Sequence, residues 1–291
     1  MHINNAPVLT HWLIVSKIMR IKCISHLRGN WIPTNIQRRL SKYYDCIVSI
    51  SQSVTNHAKE MGLSTDNLVT IYDGIDVEKV LESLTENRMV IKKRLNLEAV
   101  NSTIIGVVGN IKKWKGQHVA IEATKILKER GEDIVCLIVG NVSSLQEDKE
   151  YYDYLMGLVK NYGLKNQVRF TGYRKDVSNI LSIMDILVHT STQPEPLGRV
   201  VFEGMIFKKP VVATNHGGPA EIINNGLNGY LTPPGDAVSL ADRIEYIIHN
   251  CTEVSGIGEK AIERVKEIFN IAKNVKEIEG VYDTVLARVA H

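Results

Sequence analysis

The chain of 291 residues carries 35 lysines and arginines against 32 acidic residues, and 44% of its residues are apolar. This length is enough for about two domains, and the composition predicts a globular protein with a hydrophobic core. The four cysteines form no CxxC pair and the nine histidines no HxxxH or HExxH motif, which excludes a disulfide framework and the common zinc sites.

The net charge of +3 is unevenly distributed along the chain. Residues 1–50 hold seven lysines and arginines but a single acidic residue, Asp45, so this segment carries +6. A basic segment favours an anionic partner such as a phosphorylated lipid, a membrane surface or a nucleic acid, although a solvated basic face fits equally well. Within it, residues 6–24 are apolar but interrupted by His11, Lys17, Arg20 and Lys22, which predicts a core helix and a strand rather than a membrane span.

The first hundred residues show a short alternation of helices and strands. Hydrophobic periodicity predicts helix 7–19, strand 21–26, helix 33–43, strand 45–50, helix 51–61 and strand 68–72, followed by a linker and helix at 77–98. The segment MHINNAP resembles the end of a further strand. Only about three strands precede the linker, which is few for a doubly wound domain.

From residue 101 the alternation becomes regular. The predicted strands are 102–110, 133–141, 167–173, the end of 177–191, 210–215 and 229–233, and the predicted helices are 116–131, 150–164, the start of 177–191, 197–209, 219–226 and 237–250. Such alternation predicts an α/β fold whose parallel sheet is covered on both faces. Ligands of these sheets bind at the carboxyl ends of the strands.

Three glycine-containing turns follow predicted strands and precede predicted helices. They lie in VVGNIKKWKGQ (107–117), EPLGRVVFEGM (195–205) and NHGGPAEII (215–223). Each turn presents free backbone N–H groups and a positive helix end to an anion, and Lys115 and Arg199 add charge. One such turn alone fits a structural role equally well, but three at successive strand ends favour a single phosphate-binding crevice.

Two glutamates, Glu195 and Glu203, lie eight positions apart in an apolar run. A buried carboxylate is unfavourable without a hydrogen-bond donor, and the hydroxyl groups of a sugar or ribose are suitable donors. A salt-bridged core glutamate is the alternative. Taken with the three turns, the pair predicts a domain that binds a nucleotide or another polyol diphosphate.

The order of these motifs resembles the retaining glycosyltransferases of the GT-B fold, family 4, the glycosyl transferases of group 1. The resemblance rests on VVGNIKKWKGQ, VRFTGYRKDVSNILSIMDILVHTS, EPLGRVVFEGM, KKPVVATNHGGPAEII and NGYLTPPGD, and it covers residues 2–285. It implies two Rossmann-like domains facing a cleft, the first of them incomplete. The implied boundaries are 1–88 for the acceptor-side domain, 89–271 for the donor domain and 272–291 for a helix that crosses back to the first.

The resemblance also implies a role for each motif residue. Glu195, His26 and Lys115 are the implied catalytic residues: Glu195 contacts the sugar hydroxyls, His26 lies by the reacting centre, and Lys115 contacts the phosphates. Glu203 binds the ribose, and the loop Gly172–Tyr173–Arg174 borders the base. The remaining implied contacts to the donor come from Gly109, Asn110, Gly116, Pro196, Leu197, Gly198, Arg199 and Val200.

The implied reaction is sugar transfer from a UDP- or GDP-linked donor to a glycan or lipid-linked acceptor, with retention and without a cofactor or metal. We expect a cytoplasmic protein in bacterial surface polysaccharide or glycolipid synthesis, peripheral at the inner face of an anionic membrane, and no nucleic acid partner. Asn110 replaces the family's usual arginine, for which Lys112 or Lys113 is a candidate substitute. The short first domain leaves an alternative: a non-catalytic nucleotide-sugar-binding module, or one subunit completed by a partner chain.

Overall fold

The computed structural model describes residues 1–4, 10–97 and 102–287. The predictions made for residues 5–9, 98 and 288–291 lie outside the described residues. The chain divides into two compact units. The first unit comprises Met1–Asp76, Pro194–Gly198 and Glu267–His291, and the second comprises Val77–Gln193 and Arg199–Lys266.

Strands and helices alternate along both units. The strands are β1 His2–Asn4, β2 Ile24–Leu27, β3 Cys46–Ser49, β4 Leu68–Thr70, β5 Thr103–Val108, β6 Ile134–Val139, β7 Val168–Gly172, β8 Ile186–His189, β9 Val211–Thr214 and β10 Tyr230–Thr232. The α-helices are α1 Thr10–Ile18, α2 Asn35–Leu40, α3 Gln52–Glu60, α4 Val77–Glu82, α5 Arg88–Arg94, α6 Gln117–Glu129, α7 Gln146–Asn161, α8 Val177–Ile183, α9 Arg199–Ile206, α10 Pro219–Ile222, α11 Ala237–His249, α12 Cys251–Val254, α13 Ile257–Ile268 and α14 Ile271–Ala287.

The first unit is built on a parallel sheet of four strands in the order β1-β2-β3-β4. Both β2 and β3 are buried along their whole length. Its small core joins side chains from these two strands, from the residue after β4 and from α14, namely Ile24, Cys46, Val48, Ile71 and Val285. The first unit therefore depends on residues from both halves of the chain.

The second unit is built on a parallel sheet of six strands in the order β10-β9-β8-β5-β6-β7. The central strands read TIIGVV in β5 and IVCLIV in β6, and such continuous apolar runs are what a sheet covered on both faces requires. The predicted α/β fold class with two Rossmann-like units is confirmed. All nine strands predicted from periodicity occur within three residues of the expected bounds, and β1 is the strand end expected in MHINNAP.

The segment that leads from the first sheet to the second belongs to the second unit. The side chain of Asn179 is buried and accepts hydrogen bonds from the backbone of Thr85 and Glu86. Arg88 forms an ion pair with Asp185 at 2.7 Å. The first of the three segments of the first unit thus ends at Asp76, whereas the resemblance implies a boundary at residue 88.

The carboxyl-terminal helix α14 belongs to the first unit. A parallel bridge between Ile75 and Asn270 and a hydrogen bond from Asn274 to the carbonyl of Tyr72 hold its start. The preceding helices α12 and α13 were not predicted.

The interpretation of residues 7–19 as a core helix is wrong for the described part. Helix α1 buries Leu13 and Ser16, while Trp12, Ile14, Val15 and Ile18 are exposed. The apolar stripe of the sequence is present, but most of it faces away from the sheet.

Candidate functional site

The loop between β5 and α6 is fixed to the segment that follows β8. The hydroxyl of Thr190 donates to the carbonyl of Lys115 at 3.0 Å, and the N–H of Thr192 donates to the carbonyl of Trp114 at 2.8 Å. Gly116 has φ +67, and a Cβ there would lie 2.0 Å from the carbonyl oxygen of Thr190. The predicted turn is therefore a close backbone contact that requires glycine.

A second contact braces the start of this loop. The N–H of Gly109 donates to the carbonyl of Val139, and a Cβ at Gly140 would lie 2.0 Å from the carbonyl oxygen of Gly109. The amide of the fully buried Gln117 donates to the backbone carbonyl of Asn110 at 3.0 Å, and Asn110 itself is exposed. The loop is rigid at the carboxyl ends of β5 and β6.

The lysines of this loop point in different directions. The ammonium of Lys115 lies 4.5 Å from the centre of the Trp114 ring, which is a cation–π contact within the loop. Lys112 forms an ion pair with the buried carboxylate of Asp148 at 3.4 Å. Lys112 is thus held by its own acidic partner, which weakens the expectation that it substitutes for the arginine missing at Asn110.

Helix α9 begins at Arg199, directly after Gly198 with φ +82. The first backbone N–H groups of a helix have no carbonyl of the same helix to bind, so Arg199 and Val200 present donors at this end. Glu203 lies one turn later and is partly buried. Burial raises the pKa of Glu203, while the nearby Arg199 guanidinium acts in the opposite direction. The carboxylate is therefore short of compensating charge within its unit.

The loop after β7 carries Tyr173 and Arg174. Tyr173 is 66% exposed, so its ring is available to stack on a planar ligand. Arg174 forms a two-pronged pair with Asp176 at 2.7 and 2.8 Å, and its hydrogen bonds together with that charge lower the pKa of Asp176. The guanidinium is thus positioned by the protein itself rather than by a ligand.

The turn NHGGP after β9 contains a side chain that the sequence did not single out. The Nδ1 atom of His216 is buried and has no hydrogen-bond partner among residues 1–4, 10–97 and 102–287. Helix α10 has a single turn, and the carbonyls of Glu221 and Ile222 accept from Arg264. The predicted turn is therefore present as a strand-end loop that contains the buried Nδ1 atom of His216, and anion binding there stays a prediction.

In the first unit, His26 lies in β2 and is 6% exposed. Its ring stacks on His2, with centroids 5.3 Å apart, and His2 contacts the hydroxyl of Tyr282 at 2.7 Å. Burial, the charge of Arg28 and the neighbouring His2 lower the pKa of His26 to about 4. Its Nε2 atom is buried and unpaired within the described part of the chain. His26 is therefore a neutral imidazole with an unsatisfied nitrogen.

The segment 194–198 is anchored to the loops that follow β2 and β3. Asn30 donates to the carbonyl of Pro194 at 3.1 Å, and Ser51 donates to the carbonyl of Pro196 at 2.5 Å. Glu195 lies between these two anchored prolines and is partly buried. Because carboxyl ends of parallel strands share one edge, Glu195 is held at the same end of the sheet as His26.

The predicted residues thus form two groups, one in each unit. The second unit brings the loop 109–116 onto Thr190, places Tyr173 in the loop after β7 and holds Glu203 in the first half of α9. The first unit holds His26 and the segment from Glu195 to Gly198. Leu197 and Gly198 are buried, unlike the exposed Arg199. The anchors Thr190, Thr192, Asn30 and Ser51 were not predicted, and their pairing across the chain leaves no local sequence signal.

Two further observations concern metals and membranes. Glu132, Glu245 and His249 have ligating atoms within 4.8 Å of one another, but they lie by the start of β6, at the end opposite the strand-end loops. The predicted lack of a metal and of a cofactor stays a prediction. Within the described ranges no helix combines the length and the apolarity needed to cross a bilayer.

Comparison with known proteins identifies a family whose sequences resemble more than half of this chain. Residues 89–264 match the family described as glycosyl transferases group 1. An uncharacterized glycosyltransferase from Methanocaldococcus jannaschii is 29% identical over 85% of this chain and 60% of its own length. The capsular polysaccharide biosynthesis glycosyltransferase CapM from Staphylococcus aureus is 28% identical over 82% of this chain and 62% of its own. The chain therefore spans about three fifths of the length of these relatives.

Among solved structures, Anabaena HepE in complex with UDP-glucose has a TM-score of 0.85 at 27% identity. The match covers 97% of this chain and 78% of that one. Crystals of HepE with UDP, and with UDP and glucose, match equally broadly.

Proposed function

The chain belongs to the glycosyl transferases group 1 family, and on that basis we propose that it transfers a sugar from a nucleotide diphosphate sugar to an acceptor hydroxyl. The observation that carries the proposal is the match of nearly the whole chain to HepE, which was crystallised with UDP-glucose. The strand-end loops of the second unit supply groups suited to such a donor. A UDP-linked sugar is accordingly the favoured donor, and a GDP-linked one the second choice.

In the second unit, we assign the diphosphate to the start of helix α9 and to Lys115. Backbone N–H groups of Arg199 and Val200, the positive end of the helix dipole and the two side-chain cations all favour an anion there. The ribose hydroxyls are assigned to Glu203, whose raised pKa reflects burial without a strong partner. The exposed ring of Tyr173 is assigned to the base.

In the first unit, Glu195 is assigned to the hydroxyls of the transferred sugar and His26 to the reacting centre. Two hydrogen bonds fix the residues on either side of Glu195, so this carboxylate suits positioning. The unpaired Nε2 of neutral His26 is suited to a hydrogen bond with a sugar hydroxyl.

The proposed step breaks the bond between the anomeric carbon and the diphosphate oxygen and forms a bond from that carbon to the acceptor oxygen. The acceptor proton passes to the leaving diphosphate, whose growing charge is stabilised by Lys115, Arg199 and the N–H groups of α9. We propose retention of the anomeric configuration, with Glu195 positioning the sugar rather than attacking it.

For the pathway, we propose bacterial surface polysaccharide or glycolipid synthesis at the inner face of the membrane. The similarity to CapM supports this assignment. The alternative is a nucleotide-sugar-binding module, or a subunit that acts with a partner chain. It is favoured by the four-stranded first sheet and by the exposed Asn110 in the phosphate loop.

Calorimetric binding of UDP, GDP and ADP tests the donor site directly. UDP binding by the wild type, lost in Glu203→Ala and Lys115→Ala, is the expected result. Lys165→Ala is the matched control, because Lys165 is an exposed lysine of the same unit that precedes β7, away from the strand-end loops, and should leave binding unchanged. Equal loss in all three variants, or no binding of any nucleotide by folded protein, would contradict the proposed donor site.

Turnover then separates the enzyme from the binding module. Release of UDP from UDP-glucose in the presence of lipid-linked and glycan acceptors supports transfer. Binding without release, across a broad acceptor panel, favours the module or the subunit.

A further inference from the structure

Helix α1 and the turn after it form an unusual surface of the first unit. Six large apolar side chains are exposed within ten residues, and we call them the α1 surface: Trp12, Ile14, Val15, Ile18, Met19 and Ile21. Ile18 is 76% exposed and Met19 62% exposed. At about 100° per residue, the helical members cover an arc of about 160° on the side opposite buried Leu13 and Ser16. Only His11 interrupts this arc.

The charges beside the α1 surface are mostly positive: three cations lie there against the single carboxylate of Asp45. Lys17, Arg20 and Lys22 lie within or beside it, and no acidic residue occurs in the sequence before Asp45. Lys17 and Lys22 both bind Asp45, at 3.2 and 3.1 Å, so a single carboxylate is shared by two ammonium groups. The surface therefore combines exposed apolar side chains with a net positive charge.

This combination selects among the partners that could cover an apolar helix face. A second copy of the chain would bring like charges together, which is unfavourable. An anionic bilayer offers acyl chains for the apolar arc and headgroups for the cations, and tryptophan is favoured at that boundary. Contiguous exposed apolar side chains of this kind mark interaction sites in proteins.

We propose that the α1 surface lies on an anionic lipid bilayer, with helix α1 parallel to the membrane plane. The inference rests on the proposed location at the membrane and names the residues that make the contact. Helix α1 has nine residues, which fits an interfacial helix and not a span.

Vesicle flotation tests the contact with the whole chain and without any transfer reaction. Wild-type protein is mixed with phosphatidylcholine vesicles, with or without phosphatidylglycerol, at low and high salt. We expect binding to the anionic vesicles only, weakened by salt. The affinity of the double variant Ile18→Ser/Met19→Ser for anionic vesicles should be lower than that of the wild type by at least about tenfold. Arg20→Asn, which suits the positive φ at this position, should lower binding about fivefold.

The matched control is Met89→Ser/Val90→Ser, which removes two exposed apolar side chains from α5 in the other unit and should leave vesicle binding unchanged. Tryptophan fluorescence adds a local readout, since a blue shift on vesicles should vanish in Trp12→Phe. Calorimetry with UDP on the same preparations separates failure of this inference from failure of the proposed function.

Three outcomes would overturn the inference. The first is a folded wild type that binds no anionic vesicle. The second is vesicle binding that the Ile18→Ser/Met19→Ser variant retains in full. The third is wild-type self-association that this variant abolishes, which would assign the α1 surface to a second copy.

Discussion

Replacing Gly116 by alanine tests whether the phosphate loop is held by close backbone contact. An alanine with φ +67 costs about 1–2 kcal/mol. The added Cβ would lie 2.0 Å from the carbonyl oxygen of Thr190, so the loop must move. Movement breaks the hydrogen bonds from Thr190 to Lys115 and from Thr192 to Trp114, each worth about 1 kcal/mol. The expected loss is about 3–4 kcal/mol of unfolding free energy.

Gly131→Ala is the matched control within the same unit. Gly131 also has a positive φ, +92, but a Cβ there would meet nothing within 4 Å. This variant should lose about 1–2 kcal/mol and keep its affinity for UDP. Urea unfolding followed by the fluorescence of Trp114, in a Trp12→Phe/Trp31→Phe background, measures the second unit. Equal losses in the two variants, or unchanged UDP affinity in Gly116→Ala, would refute the reasoning.

The remaining predictions concern charge. Glu203→Gln should stabilise the unliganded protein at pH 7 in urea unfolding. Burial raises the pKa of Glu203, so the folded wild type loses stability as the pH rises and this carboxyl group ionises, whereas glutamine stays neutral. The same variant should bind UDP more weakly in calorimetry. A destabilised Glu203→Gln would indicate a structural ion pair instead. The pKa of His26 is about 4 in the folded protein and about 6.5 in the unfolded chain. Between pH 4 and pH 6.5 unfolding therefore takes up a proton, and the free energy of unfolding falls as the pH drops through this range. Between pH 7 and pH 5 the wild type should lose about 2 kcal/mol more than His26→Phe, measured by urea unfolding; parallel pH profiles would contradict this.

The sheets could be predicted from the sequence because their signal is local. The apolar runs of β5 and β6 are bounded by glycines and are too short for helices, so periodicity and length decide. The two glutamates and Lys115 were likewise visible as motif residues at strand ends. None of these predictions requires knowledge of distant contacts.

What the sequence could not supply are pairings between distant residues. Thr190 fixes the carbonyl of Lys115 from 75 positions away, and Ser51 fixes Pro196 from 145 positions away. The apolar residues of α1 predict a buried helix face, but their spacing does not identify the element that packs against it. For the same reason, the motif from Glu195 to Glu203 gave no sign that its two ends belong to different units.

The construction of the first unit has a consequence for how the chain folds during synthesis. Ile24, Cys46, Val48 and Ile71 leave the ribosome more than 200 residues before Val285, the side chain that completes their core. The second unit, which ends at Lys266, can assemble its six strands before α14 exists. The strands of the first sheet therefore precede the second unit in synthesis but finish folding after it, and this sheet stays open to chaperones, or to aggregation, until α14 is made.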